Sequence, residues 1–501
     1  MKARTRKAGI LLPITSLPSP YGIGTLGRVA FEFVDFLKEA GQSYWQILPT
    51  GPTGYGDSPY QSFSTFAGNP YFIDLEDLVQ EELLEQKDCD EADLGSDPQY
   101  VDYEKQYKVR MPLLKKAYHS FIGRNGESER DYKTFVKENA YWLEDYALFM
   151  AIKDDHDGKS YSEWDEDIRL RKKEALAAYK EKCSENYGFY CFLQYYFAKE
   201  WALLKTYANQ NGIKIIGDIP IYVATDSADT WANPQLFQFD KMGRPTGVAG
   251  CPPDVFSKTG QLWGNPLYDW DYHKKTQYTW WTKRIKKCFE LYDVVRIDHF
   301  RGFESYYAIP YGDPTAEFGT WKKGPGMDLF DTLKKNLGKM EVIAEDLGFL
   351  TPEVYKMVRK SGFPGMKVLQ FAFDPEGDSE YLPHNYPKNS VVYTGTHDND
   401  TSIGAFKTLS KAEKAFAKEY FGVTGSKNIN WVFVRQALAS QSDTAIILMQ
   451  DYLGLGSEAR INIPSTLGNN WKWRMLPGMM TRQLAGQIRN ACFVYARCEK
   501  E

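Results

Sequence analysis

Three acidic residues stand where apolar runs of the chain end: Asp298 after Val294-Val295-Arg296-Ile297, Glu345 after Val342-Ile343-Ala344, and Asp398 shortly beyond Ser390–Thr394. Runs of this length read as buried strands. Carboxylates brought to one mouth by several strand ends repel one another, and a fold tolerates that chiefly where the charge is used. The chemistry that wants them is glycoside transfer with retention. One carboxylate attacks the anomeric carbon, and a second, about 5 Å away, protonates the leaving oxygen and later deprotonates the acceptor. Asp298 and Glu345, on successive strands, form a natural nucleophile and acid/base pair. The acid needs a pKa raised by burial and by the neighbouring negative charge. Asp398 is placed to grip ring hydroxyls as the sugar distorts. Arg296, two residues before Asp298 and so on the same strand face, can keep that carboxylate ionised. Of the six histidines, His299 and His397 sit in these clusters as donors to sugar hydroxyls. His119, His156, His273 and His384 read as surface or packing residues.

The elements that must hold these residues alternate. Strands are expected at Ala8–Leu12, Tyr44–Leu48, Ile213–Asp218, Val294–Ile297, Glu341–Glu345, Met366–Phe371, Ser390–Thr394 and Thr444–Met449. Helical spacing appears at Val29–Ala40, Lys275–Leu291, Met327–Leu337, Thr351–Ser361, Leu409–Tyr420, Trp431–Ser440 and Met480–Tyr495. Eight strands alternating with helices predict an α/β fold, a (β/α)8 TIM barrel, with an open doubly wound sheet as the alternative. A barrel puts its active site at the C-terminal strand ends. Asp218, Asp298, Glu345, Asp398 and Asp451 all lie at or just beyond such ends. The chain reads as one catalytic barrel over 1–501 with two long insertions. A charged, mostly helical stretch at 72–200 follows strand two, and a Gly- and Pro-rich excursion at 219–272, with the look of a lid, follows strand three.

Bulk composition fits a neutral ligand. The 501 residues carry a net charge of -5 and no basic surplus, which argues against nucleic acid. Aromatics make up 15%, with 34 Tyr and 13 Trp, and such rings suit sugar faces as well as a large core. Seven cysteines, an odd number without a C-x-x-C pair, fit a reducing compartment. The apolar run behind the basic start is too short for a signal peptide, and no stretch approaches a membrane span, so a cytoplasmic location is expected. Two motifs are set aside. Gly22-Ile23-Gly24-Thr25-Leu26-Gly27 matches a dinucleotide fingerprint in letters, but Pro13, Pro18 and Pro20 separate it from its strand. Asp154-Asp155-His156-Asp157-Gly158 would put Lys153 at the first ligand position of a calcium loop.

Arg296-Ile297-Asp298-His299-Phe300-Arg301-Gly302, Ala344-Glu345-Asp346-Leu347-Gly348 and Thr396-His397-Asp398-Asn399-Asp400-Thr401 resemble the catalytic motifs of the amylomaltases, bacterial 4-α-glucanotransferases of the α-amylase superfamily. Further similarity lies in residues 51–69, in Gly217-Asp218-Ile219-Pro220 with Asp226-Ser227-Ala228-Asp229, in Trp263-Gly264-Asn265-Pro266 and in Arg460-Ile461-Asn462. The resemblance implies a barrel without the C-terminal β-domain of amylases. It also implies Asp298 as nucleophile, Glu345 as general acid/base and Asp398 as transition-state stabiliser, supported by Arg296 and His397. Tyr55, Asp57, Ser58, Tyr60, Asp218, Trp263, Asn265 and His299 are the expected substrate contacts. No cofactor and no metal are implied. The expected partners are maltooligosaccharides, α-1,4-glucans from starch or glycogen, and glucose as acceptor, with no membrane. The rivals are an amylase-like hydrolase using the same residues, and a non-catalytic glucan-binding protein, which would have lost a carboxylate.

Overall fold

The computed structural model describes residues 6–54, 56–253, 257–348 and 350–499. Eight strands close a parallel barrel: β1 (Lys7–Leu11), β2 (Tyr44–Gln46), β3 (Lys214–Pro220), β4 (Val294–Asp298), β5 (Val342–Ala344), β6 (Gly365–Val368), β7 (Ser390–Tyr393) and β8 (Thr444–Leu448). Each strand pairs with the next, and β8 returns to β1. The expected barrel is therefore present. Five of its strands, β2 and β5 to β8, are shorter than the expected runs; after β6, Leu369–Phe371 is already a 3-10 turn.

Inward-facing Leu11, Ile216, Val294, Ile343, Met366, Val391 and Ile446 fill the barrel, so its interior is a core and not a channel. Each such side chain contributes about 1.5–3 kcal/mol on burial. Gly9 is needed where the strands crowd, since a Cβ there would lie 2.5 Å from that of Tyr44. At the seam, β1 and β8 pair over their whole lengths from Lys7↔Thr444 to Leu11↔Leu448. The buried Arg497 guanidinium donates across it to the carbonyls of Lys7 at 2.9 Å, Leu438 at 2.8 Å and Ser442 at 3.1 Å.

Helices fill the stretch after β2, the longest being Arg130–Asp155 and Ser184–Gln210, which pack on each other. Ser184–Gln210 passes residue 200, where the insertion was expected to end, and continues unbroken to the turn before β3. The excursion after β3 contains two strands, Gly247–Cys251 and Gln261–Pro266. They join Ser305–Pro310 and Thr320–Lys323 in a four-stranded antiparallel sheet beside the barrel mouth. Sequence periodicity missed this sheet. Its first pair has an irregular register between Val248 and Gly250, and Thr320–Lys323 is exposed throughout, so neither strand carries an alternating apolar signal. After β8 come the helices Met449–Leu453 and Arg482–Val494, with no further sheet among the described residues. No described helix is long and apolar enough to cross a membrane.

Candidate active site

Register sets the floor of the site. Asp218 on β3 lies directly beside Arg296 on β4, so both side chains point to the same side of the sheet. Arg296 Nη1 donates to the two Asp218 oxygens at 2.8 and 2.6 Å, while Nη2 donates to Asp298 Oδ1 at 3.0 Å. One guanidinium thus binds a buried carboxylate below and the half-buried Asp298 above. Asp218 is fully enclosed, and its second partner is the Tyr60 hydroxyl at 2.8 Å. Removing one member of a buried ion pair costs about 3–5 kcal/mol. Asp218→Ala should therefore lower the free energy of unfolding, read from denaturant titration, by that amount. Asp218→Asn, which keeps acceptor oxygen for Tyr60, should cost less.

Beyond β4 the backbone of His299 adopts a left-handed conformation, φ 55°, which is unusual for a residue with a side chain. That turn aims its N–H at Glu345 Oε2, 2.6 Å away. The other Glu345 oxygen accepts from the Leu347 N–H at 2.8 Å. Two backbone donors hold the carboxyl in place, and burial together with the Asp298 charge pushes its pKa up to about 8. Burial raises Asp298 too, but Arg296 opposes it. Of this coupled pair Glu345 is the carboxyl pushed toward holding the proton, because Arg296 bonds Asp298 directly.

Asp398 is the opposite case. Burial works to raise it, yet the charge and hydrogen bond of His397, with the Asn462 amide at 2.6 Å, hold it down at about 2. Burial works most strongly on His397, to lower it, but the Asp398 charge and hydrogen bond together with the Asp218 charge outweigh it, so its pKa is raised. His397 Nε2 is 3.4 Å from Asp398 Oδ2, and its ring stacks on Tyr60 at 5.1 Å. The Arg460 guanidinium donates to the Asp398 carbonyl at 2.6 Å, fixing the loop from its far side. His299 is kept neutral, its pKa lowered to about 3 by burial and then by Arg301, and its ring meets Trp263 edge-on at 4.8 Å.

Of these groups, Asp298, His397 and Asp398 border a cavity of about 530 Å³ together with Ser58, Tyr60 and Trp263, while Glu345 and His299 lie behind its wall. Among the expected contacts, Asp57 faces a separate cavity of about 700 Å³ against the helical insertion, shared with Tyr71, Tyr103 and Tyr146. Asn265 lies on the second strand of the excursion, its amide donating to the Val223 carbonyl at 2.7 Å and its oxygen accepting from the Gln61 amide. Tyr55 falls outside the described residues. Asn462, Trp471 and the turn Pro314–Ala316 also border the catalytic cavity and were not foreseen as site residues. The short Arg460-Ile461-Asn462 motif was the available signal for the first.

A carboxyl kept neutral beside an ionised carboxylate can donate a proton to a leaving oxygen while its neighbour attacks carbon, the combination a retaining glycosidase needs. Known proteins agree in kind. The model of the 4-alpha-glucanotransferase family matches residues 12–480. A 4-alpha-glucanotransferase of Clostridium butyricum is 52% identical over 97% of this chain and all of that protein. One from Thermus thermophilus is 48% identical over 97% of each. Among solved structures, the amylomaltase of Streptococcus agalactiae in complex with acarbose superposes with a TM-score of 0.96 at 43% identity, covering 99% of this chain and all of that one.

Proposed function

The chain belongs to the 4-alpha-glucanotransferase family of retaining glycoside hydrolases, and on that premise we propose which of its residues carry each step. The enzyme is a 4-alpha-glucanotransferase. In the proposed sequence, an oxygen of Asp298 attacks C1 of the glucosyl unit bound over Arg296. Glu345 gives its proton to the glycosidic oxygen, the C1–O bond breaks, and the shortened glucan leaves with a new 4-hydroxyl. Glu345, now a carboxylate, takes the proton of an acceptor 4-hydroxyl as that oxygen attacks C1 and displaces Asp298. Two inversions give retention. Asp398, ionised and braced by Asn462, holds ring hydroxyls as positive charge develops at C1, with His397 and Tyr60 alongside. The observation that carries the reading is geometric: Asp298 is held by the Arg296 guanidinium, and Glu345 is fixed beside it by the N–H groups of His299 and Leu347.

The proposed substrates are maltooligosaccharides and α-1,4-glucans from starch or glycogen, with glucose as an acceptor. The acarbose bound to the Streptococcus agalactiae neighbour supports this choice. No step draws on a cofactor. The 72–200 stretch is taken as a helical subdomain of the single barrel, and 219–272 as a lid whose aromatic Trp263 favours a sugar acceptor over water. A cytoplasmic location is supported by the seven cysteines, an odd number without a C-x-x-C pair, as a reducing compartment would allow.

The rival with the same residues is an α-1,4-glucan hydrolase. Incubation with maltotriose should release glucose and build longer oligomers while total reducing ends stay nearly constant. A steady rise in reducing ends without longer products would show a hydrolase.

A further inference from the structure

We propose that the hairpin Ser305–Lys323 carries a second glucan-holding surface just outside the catalytic cavity, with Phe318 and Tyr311 as its contact rings and Trp321 as its fixed edge. Single exposed apolar residues need no explanation, but a cluster of large ones on one element does. Within one hairpin Phe318 is 76% exposed, Tyr311 57% and Trp321 42%.

The frame beneath them is stiff. The Ala316 N–H donates to the Thr259 carbonyl at 3.0 Å, and the buried Tyr307 hydroxyl donates to the Ala316 carbonyl at 3.0 Å. Gly319 lies against the Tyr307 ring so closely that a Cβ would sit 2.3 Å from it. The Arg301 guanidinium stacks over Trp321 at 3.9 Å, and Tyr307 meets the same indole edge-on at 5.2 Å. An indole held this way loses little freedom when a ligand arrives, which makes Trp321 a fixed edge for the exposed Phe318 and Tyr311 on the same hairpin.

The occupant follows from continuity. The same turn supplies Pro314, Thr315 and Ala316 to the wall of the cavity that has Asp298 on its border. A chain leaving that cavity over the turn meets Phe318 two residues further on. Resting on the reading that the cavity takes α-1,4-glucans, the ligand is the remote part of a long glucan, whose apolar pyranose faces stack on flat rings and whose neutrality needs no charged partner.

The test uses the full chain with Asp298→Asn, so that amylose is held without being consumed. Its migration in a native gel containing amylose is compared with that of the same protein carrying Phe318→Ala and Tyr311→Ala. The double variant should show an apparent affinity for amylose weaker by roughly five- to tenfold, from two lost stacking contacts. Phe318→Tyr should restore much of it, and an unchanged unfolding midpoint excludes misfolding. Equal retardation of both proteins would overturn the surface and leave the catalytic reading, which stands on the maltotriose products, untouched. Self-association seen by sedimentation that disappears in the double variant, with retardation unchanged, would also overturn it by making the patch a contact between copies.

Discussion

Asp298→Asn is expected to leave a folded protein whose transfer rate on maltotriose falls by about 10⁵-fold, the scale of losing a covalent nucleophile. The carboxamide keeps an oxygen toward Arg296 Nη2, and Arg296 keeps both bonds to the buried Asp218, so the floor of the site survives. What is lost is the negative oxygen that bonds C1. Removing that charge also removes one of the causes holding the Glu345 proton in place, so the basic limb of any residual activity should move to lower pH. The measurement is the initial rate of glucose release, with the thermal unfolding midpoint as control. Near-normal transfer by the Asn variant would move the nucleophile elsewhere.

Glu345→Gln is expected to cost about 10²- to 10⁴-fold on maltotriose, the usual contribution of a positioned acid/base. The variant separates the two half-reactions. A maltosyl fluoride of α configuration needs no proton on its leaving group, so the Glu345→Gln protein should still be glycosylated by it. Deglycosylation needs the base, so a covalent adduct on Asp298 should accumulate and appear by mass spectrometry. The pH dependence follows from sign. The Glu345 carboxyl has a pKa raised above its ordinary value to about 8, so it holds its proton through neutral pH and loses it as pH rises past 8. In the parent enzyme kcat/KM should therefore fall above about pH 8, and in the Glu345→Gln variant that limb should vanish. A limb of equal position in both proteins would assign the acid to another group.

Much of the barrel was legible because its strands are buried on both sides and so read as continuous apolar runs. The three carboxylates were legible for a related reason: an acid at the end of such a run is out of place unless the end is a rim. The antiparallel sheet was not, since Thr320–Lys323 is exposed and Gly247–Cys251 is mostly glycine and small residues. Nor could spacing tell that Asp218 would be sealed under Arg296. An acid at a strand end looks the same whether it faces the cavity or the neighbouring strand, and only the β3–β4 register decides. The left-handed turn at His299 was equally hidden, because glycine is the residue that usually announces it. Asp57 shows how neighbouring loop residues can face different cavities once the loop bends, while Ser58 and Tyr60 border the catalytic one.

The seam between β1 and β8, pinned by Arg497, has a consequence for the order of events in synthesis. Arg497 reaches the Lys7 carbonyl across 490 residues of chain, so the seam cannot be pinned until residue 497 has been made. Contacts between such distant segments are also the slow ones to form. Asp298 and Glu345 lie on adjacent strands in the middle of the chain and have met their neighbours well before that. A nascent chain on the ribosome therefore holds a nearly assembled pair of reacting groups on an open sheet. Pairing of β8 with β1 later converts that sheet into a closed barrel.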